Sequence, residues 1–251
     1  AVLQPHGIDV IHHLPGVGEN LQDHLQVRTV YKVKNTVTLN RRVNSIFGKA
    51  AMGLEYLLFK TGPLTMPPSQ LGAFGKSDAS RESANMEWHV QPLSLDKFGD
   101  PLHTFDAITP SVCNLQPTSR GHVRLKSGNQ LDAPAITLNY LSTGADREVA
   151  IAGLRATRRI MAANALARFH PVEWKPGPST ESDDELARAA SNLGTTIFHP
   201  VGTCKMGHDE MAVVDDRLSV SGIVGLRVID ASIMPRITSG NTNAPTVMIA
   251  E

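Results

Sequence analysis

Hydrophobic and polar positions alternate over residues 27–34, a pattern typical of a half-buried β-strand. One predicted face of this strand carries Val27, Thr29, Tyr31 and Val33. Further strands are predicted at Met86–Gln91, Phe105–Leu115, His122–Lys126, Val213–Leu218 and Leu226–Asp230. Because polar loops join successive strands, the pattern favours a largely antiparallel sheet with one face covered.

Helical spacing of apolar residues predicts a helix over 44–60, where the spaced positions are Ile46, Phe47, Ala50, Leu54, Leu57 and Leu58. A second helix, over 146–163, is expected to bury Val149, Leu154, Ile160, Met161 and either Ile151 or Ala152. Ser182 and Glu185 form a capping-box pattern, which predicts a third helix through about Ser191. Residues 62–83 are rich in Pro, Gly and Ser and are predicted to form a long ordered loop or lid.

The closing stretch, Val228–Glu251, predicts a short strand ending on Asp230, a polar loop, and a helix that opens at Pro245. Proline is favoured in the first turn of a helix because its missing N–H has no partner there. Asp230, Asn241 and Asn243 would then lie near helix amides, which suit a phosphate or another anion. A capped surface loop is the alternative interpretation.

Composition narrows the class of protein. The chain has 24 basic and 24 acidic residues, so its formal net charge is zero, and this gives no electrostatic pull toward nucleic acid. No apolar run approaches the roughly 20 residues that span a bilayer. Two distant cysteines fit a reducing compartment, and we expect a cytoplasmic protein or one peripheral to the inner membrane. The chain begins without Met and stops inside an apolar helical pattern, so we expect a piece of a longer polypeptide.

His199 is the strongest candidate for chemistry among ten histidines. It lies in T-T-I-F-H-P-V-G-T-C-K-M-G, where Pro200 excludes it from helical geometry and displays the imidazole on a turn. An imidazole suits proton removal at neutral pH, although a hydrogen-bonded core histidine is an equal alternative. Metal binding is not expected, since neither H-x-x-x-H nor C-x-x-C occurs nearby. G-x-S-x-G is absent, and a Cys204–His199 nucleophile pair is the least favoured possibility.

Five phrases, in this order along the chain, resemble the glucose–methanol–choline (GMC) oxidoreductase family of flavoproteins. They are P-G-V-G-E-N-L-Q-D-H-L, S-R-G-H-V-R-L, N-Y-L, F-H-P-V-G-T-C-K-M-G and the closing V-I-D-A-S-I-M-P…S-G-N-T-N-A-P-T. The first is not a dinucleotide fingerprint, because Leu21 replaces the third glycine. Within the family the likeness is to choline dehydrogenases and acceptor-dependent alcohol dehydrogenases.

The resemblance implies an α+β fold, in which an antiparallel-sheet substrate domain backed by helices joins C-terminal elements of a doubly wound FAD-binding domain. The implied limits are 1–26 for the junction segment, 27–210 for the substrate domain and 211–251 for the FAD-domain part. His199 matches the family's active-site histidine, and Asn241 matches the second catalytic position. Asn20 and His24 belong to a motif near the domain junction. The implied FAD-binding residues are Asp230, Ala231, Asn243, Pro245 and Thr246.

The implied activity is oxidation of a primary alcohol, choline-like or aliphatic, to its aldehyde by hydride transfer to flavin N5. The partners would be the alcohol, an electron acceptor (quinone or oxygen), and the family's N-terminal half, whose G-x-G-x-x-G motif is absent here. We expect the isolated chain to be inactive. A flavin-containing hydroxynitrile lyase and a non-catalytic binding fragment are the alternatives. For choline, only Glu87 and Trp88 are candidates for a cation site.

Overall fold

The computed structural model describes residues 3–67 and 69–251, so residues 1, 2 and 68 of the predicted segments 1–26 and 62–83 lie outside it. Its contacts divide the chain into two compact units. The first unit comprises residues up to 25, 115–147 and 196–251, and the second comprises 26–114 and 148–195. The domain limits 1–26, 27–210 and 211–251 stay a prediction.

Helices and antiparallel strands both occur along the chain. The strands are β1 (Leu25–Arg28), β2 (Val30–Lys32), β3 (Leu71–Gly75), β4 (Met86–Gln91), β5 (Ala107–Asn114), β6 (His122–Arg124), β7 (Ala135–Thr137), β8 (Val172–Lys175) and β9 (Gly194–Thr196). The helices are α1 (Leu39–Val43), α2 (Ile46–Phe59), α3 (Gly144–Met161), α4 (Asp183–Leu193) and α5 (Asn243–Ala250). Among the described residues, no helix combines the length and apolarity needed to cross a membrane.

A β-sheet forms the centre of the second unit. Its strand order is β3-β4-β5-β1-β9, and β2 pairs with both β5 and β8. The pairs β3–β4, β4–β5, β1–β5 and β2–β5 are all antiparallel. The ladder passes from β1 to β2 at Thr29, whose hydroxyl donates to the carbonyl of Pro110 on β5 at 2.7 Å. Because Pro110 has no N–H to donate to the ladder, the pairing with β5 is interrupted between β1 and β2 at this residue.

One face of this sheet is apolar and packs on α3. Val112 lies opposite Trp88 across the β4–β5 ladder, and both are buried. A Cβ added to Gly153 of α3 would meet Val112 methyl carbons at 3.1 Å, so this glycine allows the helix to approach the sheet closely. The indole of Trp88 donates to the hydroxyl of Thr157 at 2.8 Å. Trp88 is therefore a core residue.

The opposite face is polar, as the alternation in β4 predicts, but it is also buried. Glu87 is only 3% exposed, and its Oε1 lies 3.2 Å from Nε2 of His89. Arg28 of β1 donates to Gln91 at 3.1 Å. All four residues of β1 are buried, so the prediction of a half-buried strand over 27–34 is wrong there: neighbouring segments cover both faces of the sheet.

The predicted helices are confirmed. Ser182 and Glu185 make both hydrogen bonds of the capping box that opens α4. In α3, Val149, Leu154 and Met161 are buried as predicted, whereas Ile160 is 43% exposed because it lies off the face that contacts the sheet. In α2 only Met52 is buried. The other apolar side chains of α2 are exposed: Ile46, Phe47, Leu54, Leu57, Leu58 and Phe59.

The segment 62–83 is not wholly a loop, which corrects the sequence-based prediction. Residues Leu71–Gly75 form β3 and pair with β4, and Trp88 lies opposite Ala73. This strand, L-G-A-F-G, is weakly β-forming because glycine lacks a side chain to pack. Pairing with β4 therefore overrides the local preference. The strands β7, β8 and β9 are also absent from the prediction.

The first unit has two small apolar clusters around its closing segment. Val213, Val214, Val220 and Ile233 form one, and Val201, Met234 and Ile237 form the other. The predicted strands Val213–Leu218 and Leu226–Asp230 are replaced by isolated bridges, such as Val214–Val220 and Ser219–Arg227, since neither segment gains a continuous ladder partner among the described residues. The closing helix is confirmed as α5, with Pro245 in its first turn.

Candidate active site

His199 lies on a turn that two hydrogen bonds hold. Its backbone amide donates to Oδ1 of Asp23 at 2.9 Å. The preceding Phe198 has φ +66° and donates its own amide to Oγ1 of Thr196 at 2.8 Å. A positive φ is strained for a bulky aromatic residue and often marks a functional site. His199 is only partly buried, so its side chain is not enclosed in a core.

The imidazole of His199 contacts that of His24. The two Nδ1 atoms are 3.1 Å apart, and the rings meet edge to face at an interplanar angle of 85°. On its other side, Nε2 of His24 lies 3.2 Å from the carbonyl oxygen of Leu115. His24 is fully buried, with 0% exposure. The candidate base is thus linked through a second imidazole to a backbone carbonyl.

Asp23 joins His199 to a tyrosine. While Oδ1 of Asp23 accepts the amide of His199, Oδ2 accepts the hydroxyl of Tyr140. Burial, followed by the negative charge of Asp23, raises the pKa of Tyr140 far above its ordinary value. The phenol therefore stays protonated and acts as a donor. Asp23 is itself 4% exposed, so both of its oxygens need such partners.

Side chains of Asn20 and Gln22 bind the two loops around His199. Asn20 donates to the carbonyl of Gly202 at 3.2 Å, and Gln22 donates to that of Pro235 at 3.1 Å. The oxygen of Gln22 accepts the amide of Ile237 at 3.2 Å. The N-terminal motif thereby connects the histidine loop to the closing segment.

The two middle motifs join the same network. Arg120 donates through Nε to Oδ1 of Asn20 at 3.1 Å, and Asn139 donates to the carbonyl of Arg120 at 3.0 Å. Tyr140, in the same motif as Asn139, reaches Asp23. All five sequence phrases therefore meet within the first unit, although they are spread from Pro15 to Thr246 along the chain.

Asp230 and Ala231 form the start of a short 3-10 helix, Ala231–Ile233. The carboxylate of Asp230 is the N-cap and accepts the amide of Ser232 at 2.8 Å. Asp230 as a residue is exposed. The amide of Cys204 donates to the carbonyl of Ser232 at 2.9 Å, which ties this helix to the histidine loop.

The remaining predicted residues lie at the start of α5. Asn241 and Asn243 are exposed, Pro245 and Thr246 are partly buried, and the hydroxyl of Thr246 donates to the carbonyl of Thr242 at 2.6 Å. In the preceding loop, the buried Oγ1 of Thr238 has no hydrogen-bond partner among the residues that the structure describes. The first amides of α5 and these amide side chains form a set of donors that suits a polar ligand. The pairing of Asn241 with His199 stays a prediction.

Cys204 does not have the character of a nucleophile. Burial raises the pKa of its thiol, and the charge of Asp230 adds to this increase, whereas a hydrogen bond with Ser232 only partly opposes it. The thiol form therefore dominates at neutral pH, and thiolate is the reactive species. This weakens the alternative of a Cys204–His199 pair.

In the second unit, one cluster of the described residues could offer ligands to a metal ion: Glu87, His89 and Cys113, whose ligand atoms lie within 4.8 Å of one another. The carboxylate of Glu87 already pairs with His89. Cys113 also has a partner, since its Sγ lies 3.6 Å from the carbonyl of Glu87. The three side chains therefore contact one another and the backbone of this sheet.

Sequence reasoning expected N-L-Q-D-H to hold a loop by side-chain hydrogen bonds, which Asp23 and His24 do, but it did not name their partners and it missed the role of Tyr140. A signal was present, because Asp23 and His24 stand together in N-L-Q-D-H and Tyr140 stands in N-Y-L. The sequence does not say which partner each would find, since His24 and Asp23 lie 175 and 176 residues from His199.

A family model described as GMC oxidoreductase matches residues 117–250, and the chain therefore belongs to the GMC oxidoreductase family. "Alcohol dehydrogenase (acceptor)" of Pseudomonas putida is 42% identical over 252 residues, which cover 100% of this chain and 46% of the relative. "Oxygen-dependent choline dehydrogenase" of Klebsiella pneumoniae is 41% identical over 250 residues, which cover 100% and 45%. The chain spans about half the length of the curated relatives it matches.

Solved structures give the same result for the fold. A formate oxidase from Aspergillus oryzae matches with a TM-score of 0.90 and 25% identity, covering 99% of this chain and 48% of its own. Pyridoxine 4-oxidase from Mesorbium loti matches with a TM-score of 0.82 and 28% identity, covering 99% and 45%. The predicted family and the predicted α+β fold class are confirmed.

Proposed function

We propose that the protein to which this chain belongs oxidises a primary alcohol to its aldehyde with FAD as the cofactor. The observation that carries the proposal is the position of His199, held at its backbone by Asp23 and at its ring by His24. The names of the relatives, alcohol dehydrogenase and choline dehydrogenase, support the substrate class. The formate oxidase of Aspergillus oryzae, whose structure was solved to follow modification of its FAD, supports the cofactor.

The residues that would hold FAD are Asp230, Ala231, Asn243, Pro245 and Thr246. Their surroundings fit a group rich in hydrogen-bond acceptors, because the start of α5 offers helix amides and the buried hydroxyl of Thr238 lacks a partner among the described residues. FAD, when bound, would accept the hydride that leaves the alcohol carbon. We expect the isolated chain to be inactive, since it spans about half the length of its relatives.

His199 would act as the general base. The O–H bond of the alcohol breaks as its proton moves to the imidazole, and Asn241 donates a hydrogen bond to the same oxygen. Electron density on that oxygen then favours departure of the hydride from the adjacent carbon. The rigid turn at Phe198–His199 serves this role because a fixed base needs no reorganisation when the substrate arrives.

The substrate is proposed only as a primary alcohol. A choline site built from Trp88 and Glu87 is not supported, because the indole of Trp88 is buried and donates to Thr157. Adjacent residues of a strand point to opposite faces, so Glu87 would act without that aromatic ring. The proposed electron acceptor is a quinone or oxygen. The proposed location is the cytoplasm or the periphery of the inner membrane.

The test is an absorbance spectrum of the protein purified with its natural upstream sequence. A flavin band that bleaches without oxygen when a primary alcohol is added supports the proposal, and a screen of alcohols then defines the substrate. A flavin that binds but never bleaches favours lyase chemistry instead. A folded protein without flavin contradicts the proposed cofactor.

A further inference from the structure

We propose that His24 is a positioning residue that fixes the tautomer of His199, so that Nε2 of His199 is the nitrogen that accepts the substrate proton. The inference rests on the proposed role of His199 as a base and names the atom that performs it. It follows from two distances and from the hydrogen-bonding capacity of three groups.

The carbonyl of Leu115 determines which ring nitrogen of His24 carries the proton. A carbonyl oxygen can only accept a hydrogen bond, and it lies 3.2 Å from Nε2 of His24. The proton of His24 is therefore on Nε2. His24 is completely buried, and burial disfavours a charged imidazole. In its neutral form Nδ1 of His24 carries a lone pair and accepts a hydrogen bond.

The protonated nitrogen of His24 in turn determines which nitrogen of His199 carries a proton. The Nδ1 atoms of His24 and His199 are 3.1 Å apart, which is a hydrogen-bond distance. Because Nδ1 of His24 is an acceptor, Nδ1 of His199 must be the donor. A neutral imidazole has one N–H, so Nε2 of His199 carries the lone pair. The atom that acts as the base is therefore Nε2 of His199.

The same hydrogen bonds serve the protonated state. When Nε2 of His199 takes up a proton, Nδ1 keeps its hydrogen and continues to donate to His24. The positive charge strengthens this bond, and His24 in turn polarises toward the carbonyl of Leu115. No side chain has to rotate between the two states. His24 therefore both selects the reactive tautomer and stabilises the product of proton transfer.

The backbone around the pair keeps this geometry rigid. Gln22 and Val201 exchange both backbone hydrogen bonds, at 3.0 and 2.9 Å. The amide of Ile197 donates to the carbonyl of His24 at 3.3 Å. These backbone hydrogen bonds join the two segments that carry the histidines, and they therefore fix the distance between the two rings.

The experiment is a long-range ¹H–¹⁵N NMR spectrum of the protein with its natural upstream sequence, labelled with ¹⁵N in the histidine rings. The His199 signals are assigned by their loss in His199→Asn. In the wild type we expect a pyrrole-like Nδ1 and a pyridine-like Nε2 for His199. The reverse pattern overturns the proposal, and it does so whether or not the protein oxidises alcohols.

Variants of His24 separate tautomer control from packing. In His24→Leu, which loses both nitrogens, we expect a mixture of His199 tautomers and a fall of about 10²-fold in kcat, with KM nearly unchanged. In His24→Gln, whose amide can accept from His199 and donate to Leu115, most of the tautomer signature and rate should return. A single unchanged His199 tautomer in folded His24→Leu contradicts the proposal. His208→Gln, an exposed histidine in the same unit, is the matched control.

Discussion

The hydroxyl of Tyr140 donates to the carboxylate of Asp23, and the other oxygen of that carboxylate accepts the backbone amide of His199. Asp23 thus occupies the centre of a three-residue arrangement whose members are far apart in sequence. Its position explains why a buried carboxylate is tolerated beside the candidate base: each oxygen has a donor, so the cost of burial is offset.

Replacement of Tyr140 by Phe should destabilise the protein, because it leaves one oxygen of Asp23 buried without this donor. We expect a loss of about 1–3 kcal/mol in the free energy of unfolding at pH 7, measured by denaturant titration. The raised pKa of Tyr140 adds a pH dependence. Its stabilisation is complete below the unfolded tyrosine pKa of about 10 and falls as pH rises above it. Tyr56→Phe, at a partly exposed position in α2, should have little effect.

Asp146, in the first turn of α3, should stabilise the first unit through its ionised form. Burial raises the pKa of Asp146, but hydrogen bonds from Ser119 and Thr118 outweigh this and hold the pKa below its ordinary value. The stabilisation is therefore present above the unfolded pKa of about 4 and is lost as pH falls through the lowered value.

For Asp146→Asn we expect a loss of about 2 kcal/mol at pH 7, which shrinks when unfolding is measured below pH 4. Asp184→Asn is the matched control, because Asp184 is an exposed acid in the first turn of α4. An equal loss in both variants would show that a general helix-end effect, rather than the buried hydrogen bonds, is responsible.

Gly202, three residues after His199, has a conformation and an environment that only glycine satisfies. Its φ is +96°, and an added Cβ would lie 2.5 Å from the carbonyl oxygen of Asn20. Gly202→Ala should therefore cost about 2 kcal/mol or more of unfolding free energy. Gly53→Ala, in the interior of α2 with nothing within 4 Å of the added carbon, should instead stabilise by about 0.5–1 kcal/mol. A stable Gly202→Ala protein would argue against this close contact.

His199→Ala should slow flavin reduction by alcohol about 10²–10⁴-fold, since this is the range that a positioned general base contributes. Asn241→Ala should slow it less, because a hydrogen bond to the oxygen is lost while the base remains. Rapid-mixing spectroscopy of the protein with its natural upstream sequence measures both rates. Unchanged reduction in His199→Ala would reject the assignment, and His208→Ala provides the reference for an exposed histidine.

Local patterns in the sequence were enough to predict many of the helices and strands. The capping box of Ser182 and Glu185 depends on residues three positions apart, and α2, α3 and β4 follow from spacing within one segment. The family was also evident, because its five phrases are contiguous strings. His199 stood out through its neighbours Phe198 and Pro200. Each of these inferences uses only interactions between residues close in the chain.

Long-range pairing decided the rest. The glycine-containing segment Leu71–Gly75 became β3 only because β4 offered it a ladder. The stretch 226–230 did not become a strand because, among the described residues, its pairing is limited to the isolated bridge between Arg227 and Ser219. Burial of Arg28 likewise depends on what covers the second face of the sheet. The sequence determined that His199 could be a base, but its reactive nitrogen depends on His24 and Leu115, 175 and 91 residues from their respective partners. A tautomer is set by hydrogen bonds in space, and no local pattern specifies them.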